Sequence, residues 1–360
     1  MYSRIRHPDK VSPSALDDYL EAGWRCTGQS IYTAHFMRFP PDSSGRIYST
    51  MPTRLPLQGY RFRKSLRKLW RKNEKHFTWE AGQPFQFDEA AQQVHQAYGR
   101  AFPDRTLADE EVYRSRPSGP FTFDTREIRV YDAGKLVAFS LFNLGERSLY
   151  SSQGIYQPDY GRYSLGFFTM LLEISYAQSQ GISHYYPGYV VPGYEEFDYK
   201  HRVGPLEYYE LSSGSWKPFA TLEEGEVPIN RMWQELRKLQ GQLQQRGVES
   251  HLAEYAWFDI RFYEKRSLPF LEMPVVLVVQ SDRPKRYTPV LSFCPESLRF
   301  RLVNGKFFGM GVHHLPAYKQ VLAERPRIIS YPIAALEPKA EGLRLEDAVQ
   351  QLCGRRARGA

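Results

Sequence analysis

Residues 149–208 read LYSSQGIYQPDYGRYSLGFFTMLLEISYAQSQGISHYYPGYVVPGYEEFDYKHRVGPLEY, which predicts a strand, a turn, a helix and a second strand. The helix is predicted over Ser164 to Gln180, because apolar side chains recur there at helical spacing. These side chains are Leu165, Phe168, Leu172 and Tyr176. Gly181 stands where a helix C-cap prefers glycine, and a strand is expected around His184 to Tyr186.

Residues 127–156 predict three strands, and the last of these is the strand that opens the quoted stretch. EIRVYD is followed by a turn at Asp132-Ala133-Gly134, and then come KLVAFSLFNL and SLYSSQGIY, with β-branched and aromatic alternation. The predicted order is therefore strand, strand, strand, helix, strand. This is the core of the acetyltransferase-like (GNAT) fold, so we predict an α+β protein.

The end of the quoted stretch is unusual in composition. Residues 185–208 hold six tyrosines, three prolines, three glycines and the triplet Lys200-His201-Arg202. A packed strand or helix avoids so many breakers, and a flexible linker does not carry so many rings. We interpret this segment as the wall of a binding site.

The chain also resembles a known family. The family shows a Y-x-P-x-Y-x-x-x-S-L-G run, a helix, and then a Y-x-G-Y-x-(I/V)-P-G-C-x-x-(M/F)-x-Y-K segment. The matching residues here are Tyr156, Pro158, Tyr160, Ser164, Leu165, Gly166, Tyr186, Gly188, Tyr189, Pro192, Gly193, Phe197, Tyr199 and Lys200. Leu16 to His35 is similar to the family's L-x-x-x-G-(F/W)-R-x-(S/T)-G-x-x-x-Y segment. The chain thus resembles the aminoacyl-tRNA–protein transferases, which add arginine or leucine to protein N-termini.

The chain departs from this family in its cysteines. The family's His-Cys-x-x-Cys type run is replaced by His35-Phe36-Met37, and its Pro-Gly-Cys position holds Tyr194. Cys26, Cys294 and Cys353 are too scattered to rebuild a thiolate cluster, which needs several ligands on one ion. We therefore expect no metal site, and the neighbouring His313 and His314 do not supply one.

Length and composition bound the organisation of the chain. A chain of 360 residues exceeds what one hydrophobic core usually supports. We predict an N-terminal transferase-like region at 1–82, a GNAT-like catalytic domain at 83–212 and a C-terminal extension at 213–360. No run approaches about 18 apolar residues, and the N-terminus has no apolar signal region. We therefore expect a cytoplasmic protein without a membrane partner.

The net charge of +8 is concentrated in one segment. Arg61 to Lys75 contains eight basic residues and one acidic residue, Glu74. An apolar stripe of Phe62, Leu66, Leu69 and Trp70 predicts that the segment is a helix docked on the core. A solvated face without a partner is the plainer alternative, but so many uncompensated charges favour a nucleic-acid partner. The predicted RNA contacts are Arg61, Arg63, Lys64, Arg67, Lys68, Arg71 and Lys72.

The turn before the predicted central helix is the expected site for a charged ligand. In acyl-CoA-using GNAT proteins this turn carries (R/Q)-x-x-G-x-(G/A), whose backbone N–H groups hold a pyrophosphate. Arg162 and Gly166 keep part of that pattern, but Phe167 and Phe168 replace small residues. The family resemblance instead implies that this region receives the aminoacylated 3′ end of tRNA, with tyrosines stacking on the terminal adenosine. The implied binding residues are Tyr156, Arg162, Ser164, Leu165, Gly166, Tyr186, Tyr189, Tyr194, Tyr199, Lys200 and Arg202.

The reaction implied by the resemblance is attack of an amine on the ester between an amino acid and tRNA. It requires positioning, removal of one proton and stabilisation of an oxyanion, but no cofactor, because aminoacyl-tRNA is the co-substrate. We expect Gln153, at the strand end before the helix, to orient the amine or the carbonyl. Asp198 is the expected proton acceptor. The Lys200-His201-Arg202 triplet is expected to bind a phosphate or an acidic acceptor residue.

Two alternatives remain open at this point. One is a CoA-dependent N-acyltransferase of the GNAT type, and the other is a non-catalytic tRNA-binding relative. The sequence does not give the transferred amino acid, the identity of the protein or peptide acceptor, or the oligomeric state. In the C-terminal extension it predicts only a helix over Asn230 to Gln245 and two strands in PVVLVVQ and TPVLSF.

Overall fold

A computed structural model describes residues 3–39, 46–103, 121–259, 271–280, 288–307 and 328–356. The N-terminal elements are β1 (Ser3–Arg6), α1 (Pro13–Glu21), β2 (Arg25–Thr27), β3 (Ser30–Ala34), β4 (Phe36–Met37), β5 (Tyr48–Ser49), β6 (Met51–Pro56) and α2 (Lys64–Asn73). Strands β1, β3 and β2 form a small antiparallel sheet. The predicted basic helix is confirmed as α2.

The central elements build an eight-stranded sheet. They are β7 (Thr78–Pro84), α3 (Glu89–Ala101), β8 (Thr125–Asp132), β9 (Lys135–Leu144), β10 (Ser148–Tyr156), α4 (Leu165–Ser179), β11 (His184–Val190), β12 (Glu207–Glu210) and β13 (Ser215–Pro218). The strand order is β13-β12-β6-β11-β10-β9-β8-β7. Strands β8, β9 and β10 form the predicted antiparallel meander, and β11 lies parallel to β10 after the crossover through α4. This confirms the α+β class and the GNAT-like core.

The two faces of this sheet are covered by different helices. Side chains alternate along a strand, so Leu149 and Tyr150 point to opposite faces. Leu149 packs in the core with α4 and with Leu66 of α2. Tyr150 packs in a second core with Leu16 and Leu20 of α1, and α3 lies on the same side against β9 and β10. We call these the α4 face and the α1 face.

Local signals in the sequence account for the helix ends. Asp88 caps α3 by accepting a hydrogen bond from the backbone N–H of Ala91 at 2.9 Å. Helix α4 ends just before Gly181, whose φ of +70° lies in the left-handed region that glycine adopts without strain. Helix α4 carries apolar residues on every side, and the sheet and α2 together bury most of them.

The predicted division into three parts stays a prediction, but the large sheet takes strands from all of them. Strand β6 comes from the first part, β8 to β12 from the second and β13 from the third. Strand β7 runs across the predicted boundary at residue 82, and the β12–β13 hairpin spans the one at residue 212. Arg38 also joins Glu254 in an ion pair of 2.7 Å, so the first part contacts the extension.

The C-terminal extension forms a second sheet with two helices. Its elements are α5 (Pro228–Gln245), β14 (Ser250–Tyr255), β15 (Val275–Val279), β16 (Thr288–Cys294), β17 (Arg299–Phe307), β18 (Ile328–Ile329), β19 (Ile333–Leu343) and α6 (Leu345–Arg356). The predicted helix and both predicted strands are confirmed as α5, β15 and β16. Met232, Leu236, Leu239 and Leu243 of α5 are fully buried against this sheet. His313 and His314 lie outside the described residues. Within the described ranges, no helix is both long and apolar enough to cross a membrane.

Candidate active site

The eight-stranded sheet opens between β10 and β11. The two strands pair in parallel over only three positions, ending at Tyr150 and Tyr186. Beyond these residues β10 continues to pair with β9, and β11 continues to pair with β6. The register of both pairings shifts at this point. The shifts lie between Ser151 and Gln153 and between Tyr185 and Gly188. The strands therefore diverge and leave a cleft in the middle of the sheet, which we call the β10–β11 cleft.

Gln153 lies inside β10 and not at a strand end, which corrects the prediction. Strand β10 continues to Tyr156 because its pairing with β9 continues past the irregularity. Gln153 lines a cavity of about 60 Å³ on the α1 face, and the polar residues Cys26, Gln29 and Asn143 share it. Burial raises the pKa of the Cys26 thiol to about 12, so this cysteine is an unreactive neutral group.

The N-terminus of α4 abuts β10 at the edge of the cleft. Gly154 and Gly166 allow the close approach, because a Cβ on Gly154 would lie 3.4 Å from the carbonyl oxygen of Gly166. Ser164 precedes the helix with a φ of +53°, an uncommon conformation for a residue with a side chain. The Leu165 side chain is fully buried, so this residue can offer a ligand only its backbone.

Helix α2 stands next to this turn. Lys72 Nζ donates to the carbonyl oxygen of Arg162 at 2.7 Å, and Asn73 Nδ2 donates to that of Tyr163 at 3.1 Å. Phe168 does not obstruct the turn, because it is fully buried and packs on Trp70 of α2. The seven basic residues predicted to contact RNA are all exposed. Within the described part of the chain, none of the seven forms an ion pair with a carboxylate.

The structure does not bring the predicted tyrosines to one surface. Tyr186 is only 4% exposed and packs on Trp216, so it belongs to the core of the α1 face. This corrects its predicted stacking role and follows from strand alternation, which places Tyr185 and Tyr186 in two different cores. Tyr156 lies beside the N-terminus of α4, where a Cβ on Gly166 would be 3.3 Å from its ring. Tyr199 is 43% exposed.

Tyr194, at the position of the family's cysteine, belongs to an aromatic cluster. Its ring stacks on Phe39 at a centroid distance of 4.7 Å and an interplanar angle of 11°. Tyr48 and Phe197 complete the contacts of these two rings. Among the described residues, no group of three or more metal-binding side chains comes together. Tyr194 thus takes part in aromatic packing. We call these four residues the Tyr194 cluster.

The structure separates the side chains of Lys200, His201 and Arg202, which the sequence predicted to bind a phosphate or an acidic acceptor residue. The three residues lie in a 3₁₀ segment, Glu195–Val203, whose tight turn sends their side chains in different directions. Lys200 is buried and its Nζ donates to the carbonyl oxygen of Tyr189 at 2.8 Å. His201 packs on Phe219 at 4.6 Å, and Arg202 lies over the ring of Phe167 at 4.2 Å.

Asp198, the predicted proton acceptor, is exposed on the same segment, two residues before the buried Lys200. Its role stays a prediction.

Sequence reasoning missed Arg25, the second buried cation near the cleft. Arg25 is 1% exposed, and its guanidinium lies 4.5 Å from the centroid of the Tyr189 ring. Lys200 Nζ lies 5.0 Å from the same ring. Burial, with Arg25 nearby, lowers the pKa of Lys200 to about 7. Only the three-dimensional pairing of β2 with the rest of the fold could have revealed this pair.

Residues 68–210 match the family described as arginine-tRNA-protein transferase, C terminus. Two curated relatives are named aspartate/glutamate leucyltransferase. The one from Phenylobacterium zucineum is 33% identical over 45% of this chain and 65% of its own length. The one from Leptospira interrogans is 23% identical over 56% of this chain and 77% of its own length. The chain therefore spans about two thirds of the first relative and three quarters of the second.

Solved structures show only distant similarity. The C-terminal domain of a putative lysylphosphatidylglycerol synthetase from Agrobacterium fabrum gives a TM-score of 0.33 at 12% identity, covering 42% of this chain and 50% of that one. A GCN5-related N-acetyltransferase from Kribbella flavida gives a TM-score of 0.26 at 15% identity, covering 47% of this chain and 55% of that one.

Proposed function

We propose that this chain, a member of the aminoacyl-tRNA–protein transferase family, transfers an amino acid from aminoacyl-tRNA to the N-terminal amine of a protein or peptide. One observation carries the proposal: the unpaired cations of α2 lie beside the turn that begins α4, and this turn borders the β10–β11 cleft. An RNA bound along α2 can therefore place its 3′ end at the cleft. The transferred amino acid is leucine or arginine, the two named among the relatives and the family.

The chemistry needs little from side chains. The acceptor nitrogen forms a bond to the ester carbonyl carbon, and the bond from that carbon to the ribose oxygen breaks. The amine loses one proton, and the leaving ribose oxygen gains one. An α-amino group titrates near pH 8, so only roughly a tenth of it is neutral near pH 7, and the rest must lose a proton before it attacks. The protein must mainly align the two reactants, which is worth many orders of magnitude in rate.

Gln153 is the residue we assign to alignment. It lies at the irregularity of β10 where the cleft opens, and it faces the cavity on the α1 face. The donor would approach from the α4 face and the acceptor from the α1 face, so the two would meet at this residue. Asp198 keeps its proposed role as proton acceptor.

A transfer assay tests the proposal. The full chain is incubated with total tRNA charged with labelled leucine or labelled arginine, together with peptides that differ in their first residue. We expect label on the peptide amine with one of the two donors, and ribonuclease should abolish the transfer. Replacing Gln153 by alanine should lower the rate roughly tenfold or more without weakening tRNA binding.

The same assay separates the alternatives. Acetyl transfer from acetyl-CoA, with no response to charged tRNA, would replace the proposal by a CoA-dependent activity at the α4 turn. Binding of tRNA without transfer to any peptide would leave a non-catalytic RNA-binding protein.

A further inference from the structure

Glu173 is a fully buried carboxyl group to which the proposed function gives no role. It lies midway along α4, with none of its surface exposed. One oxygen, Oε2, accepts a hydrogen bond from Tyr185 Oη of β11 at 2.8 Å. The other oxygen, Oε1, has no hydrogen-bond partner among the described residues. A buried carboxyl oxygen in this state is costly, so packing alone does not account for the side chain.

Three hydroxyl groups of the sheet face this carboxyl. They belong to Ser140 of β9, Ser151 of β10 and Tyr185 of β11, and all three interact with it. Ser140 and Tyr185 are buried, whereas Ser151 is partly exposed. Ser151 also interacts with the phenol of Tyr185. Ser151 is therefore the residue of this group that connects the buried carboxyl with the surface of the protein.

Ser151 lies where the β10–β11 cleft begins. It is the first residue of β10 beyond the three positions that pair with β11, and the irregularity of β10 follows it directly. Strand alternation places its side chain on the α4 face, like that of Leu149. Gln153, past the irregularity, lines the cavity on the α1 face. The cleft thus presents Ser151 to the side from which the donor would approach and Gln153 to the side of the acceptor.

The proposed reaction needs a proton on the donor side. When the bond from the carbonyl carbon to the ribose oxygen breaks, that oxygen leaves as an alkoxide unless it is protonated at the same time. A positioned acid at such a point is worth roughly 10²–10⁴-fold in rate. Asp198 is proposed to remove a proton from the amine, so a separate group must supply the proton of the leaving oxygen.

We propose that Glu173 supplies this proton through the hydroxyl group of Ser151. As the ester bond breaks, Ser151 donates its own proton to the ribose oxygen and takes up the proton of Glu173, since a hydroxyl group both donates and accepts. The hydrogen bond from Tyr185 stabilises the carboxylate that remains. After the products leave, Glu173 regains a proton from water by the same route. This assignment rests on the proposed function, because it describes one step of that reaction.

The competing proton source is the 2′-hydroxyl of the same ribose. It is adjacent to the leaving oxygen in every aminoacyl-tRNA and needs no group of the protein. A path through the 2′-hydroxyl, however, gives no role to a carboxyl buried directly below the beginning of the cleft. The two sources also differ in their dependence on pH and on the chemistry of the donor.

The environment of Glu173 makes its charge sensitive to pH. Burial raises the pKa of Glu173 to about 7, and hydrogen bonding with Ser140, Ser151 and Tyr185 acts in the opposite direction. Burial also raises the pKa of Tyr185, so this phenol stays neutral, as do the two serines. The cations of α2, which packs on α4, are exposed. Because the step needs the protonated carboxyl, the contribution of Glu173 should fall as pH rises above about 7.

The test is the single-turnover rate of transfer from charged tRNA to a saturating peptide between pH 6 and pH 9. The rate of the unaltered chain is divided by that of Glu173→Gln, which cancels the titration of the amine. We expect a ratio of roughly a hundred at pH 6, falling toward one by roughly tenfold per pH unit above about 7. Ser151→Ala should give the same profile. Tyr185→Phe should move the fall to higher pH, because loss of its hydrogen bond raises the pKa of Glu173.

The chain offers two matched controls. Glu127 of β8 is another buried carboxyl whose pKa is raised to about 7 by burial, but it pairs with Arg129 at 2.8 Å. Glu127→Gln should give a ratio that does not change with pH. Ser140→Ala removes a hydroxyl that faces Glu173 but is buried away from the cleft, and it should retain most of the rate.

Melting temperature and tRNA affinity show whether each variant folds. Ser151→Ala, at a partly exposed position, keeps the test decisive if Glu173→Gln does not fold. A ratio that stays constant from pH 6 to pH 9 would overturn the relay, because a purely structural role of Glu173 does not produce this pH dependence.

A charged tRNA whose terminal ribose lacks the 2′-hydroxyl separates the two proton sources. The unaltered chain should still use this donor, and the rate should still depend on Glu173. Loss of transfer with this donor alone would assign the proton to the 2′-hydroxyl and overturn the relay. If the unaltered chain transfers no amino acid from any donor, the proposed function and the relay fail together, whereas a constant ratio removes the relay alone.

Discussion

The protein carries two sets of cations that differ in almost every physical respect. Those of α2 are numerous and exposed on the α4 face, and the described residues give them no acidic partner. Arg25 and Lys200 are two buried groups on the α1 face, surrounded by aromatic rings. Salt screens exposed charges beyond about 8–10 Å, whereas buried charges are screened much less. The first set therefore suits a long polyanion, and the second suits one small group placed at a defined point.

The two sides of the sheet differ in the kind of ligand that they suit. A helix with many exposed cations gives affinity without demanding one geometry, as RNA backbone binding requires. A buried pair gives selectivity, because each unmatched charge is costly. The β10–β11 cleft therefore lies between the α4 face, which suits a ligand of high charge density, and the α1 face, which suits a single group of matching shape and charge.

The largest expected effect concerns α2. Replacing Arg67, Lys68, Arg71 and Lys72 by alanine should weaken tRNA binding roughly a hundredfold near 0.1 M salt. The slope of log K against log salt should fall by about 3 in magnitude, because each lost phosphate contact releases fewer counterions. Filter binding over a range of salt concentrations measures both quantities.

A control variant removes exposed cations from another surface. Arg237, Lys238 and Arg246 belong to α5 or directly follow it, and their replacement by alanine removes a similar charge. This variant should leave the slope nearly unchanged. An equal loss in both variants would mean that net charge, and not the α2 surface, governs binding.

The next effect concerns the buried set. The folded state lowers the pKa of Lys200 to about 7 from a usual value near 10.5. Between these values the unfolded chain binds more protons, so stability rises with pH over this window. Between pH 7 and pH 9, the free energy of unfolding of the unaltered chain should therefore rise by about 2 kcal/mol relative to that of the Lys200→Met variant.

Urea denaturation of the two proteins at several pH values measures this difference. His201→Gln serves as the neighbouring control. A difference that does not change with pH would show that Lys200 stays charged and solvated in the folded protein.

The smallest effect concerns the Tyr194 cluster, whose Phe197 lies 5.2 Å from Lys200 Nζ. Tyr194→Ala should lower the free energy of unfolding by about 1 kcal/mol through loss of ring stacking. Tyr194→Phe keeps the stacked ring and should change it little. Thermal denaturation compares the variants, and equal melting points for all three would show that the cluster adds no stability.

The helices and the order of the central strands could be predicted because their signals are local. Apolar spacing located α2, α4 and α5. These elements carry their own periodicity and caps, so each can be read from about 15 neighbouring residues.

The site could be predicted only in outline, because it depends on contacts between distant parts of the chain. The pairing of Arg25 with Lys200 joins residues 175 positions apart, and no local pattern marks it. The face on which Tyr186 lies depends on the register of β11 with β6 and β10. The irregularities in β10 and β11 also arise from pairing with different neighbours, so the position of Gln153 could not be read from its own segment.

The place of β6 in the large sheet has a consequence for synthesis of the chain. Leu55 pairs with Tyr185 and Arg54 pairs with Glu207, so β6 leaves the ribosome some 130 to 150 residues before its partners. At about 5–20 residues per second this interval lasts on the order of ten seconds. For that time the nascent chain exposes a largely apolar strand with unpaired backbone groups. The pairing of β6 with β11 and β12 is therefore completed late, after Lys200 has emerged from the ribosome.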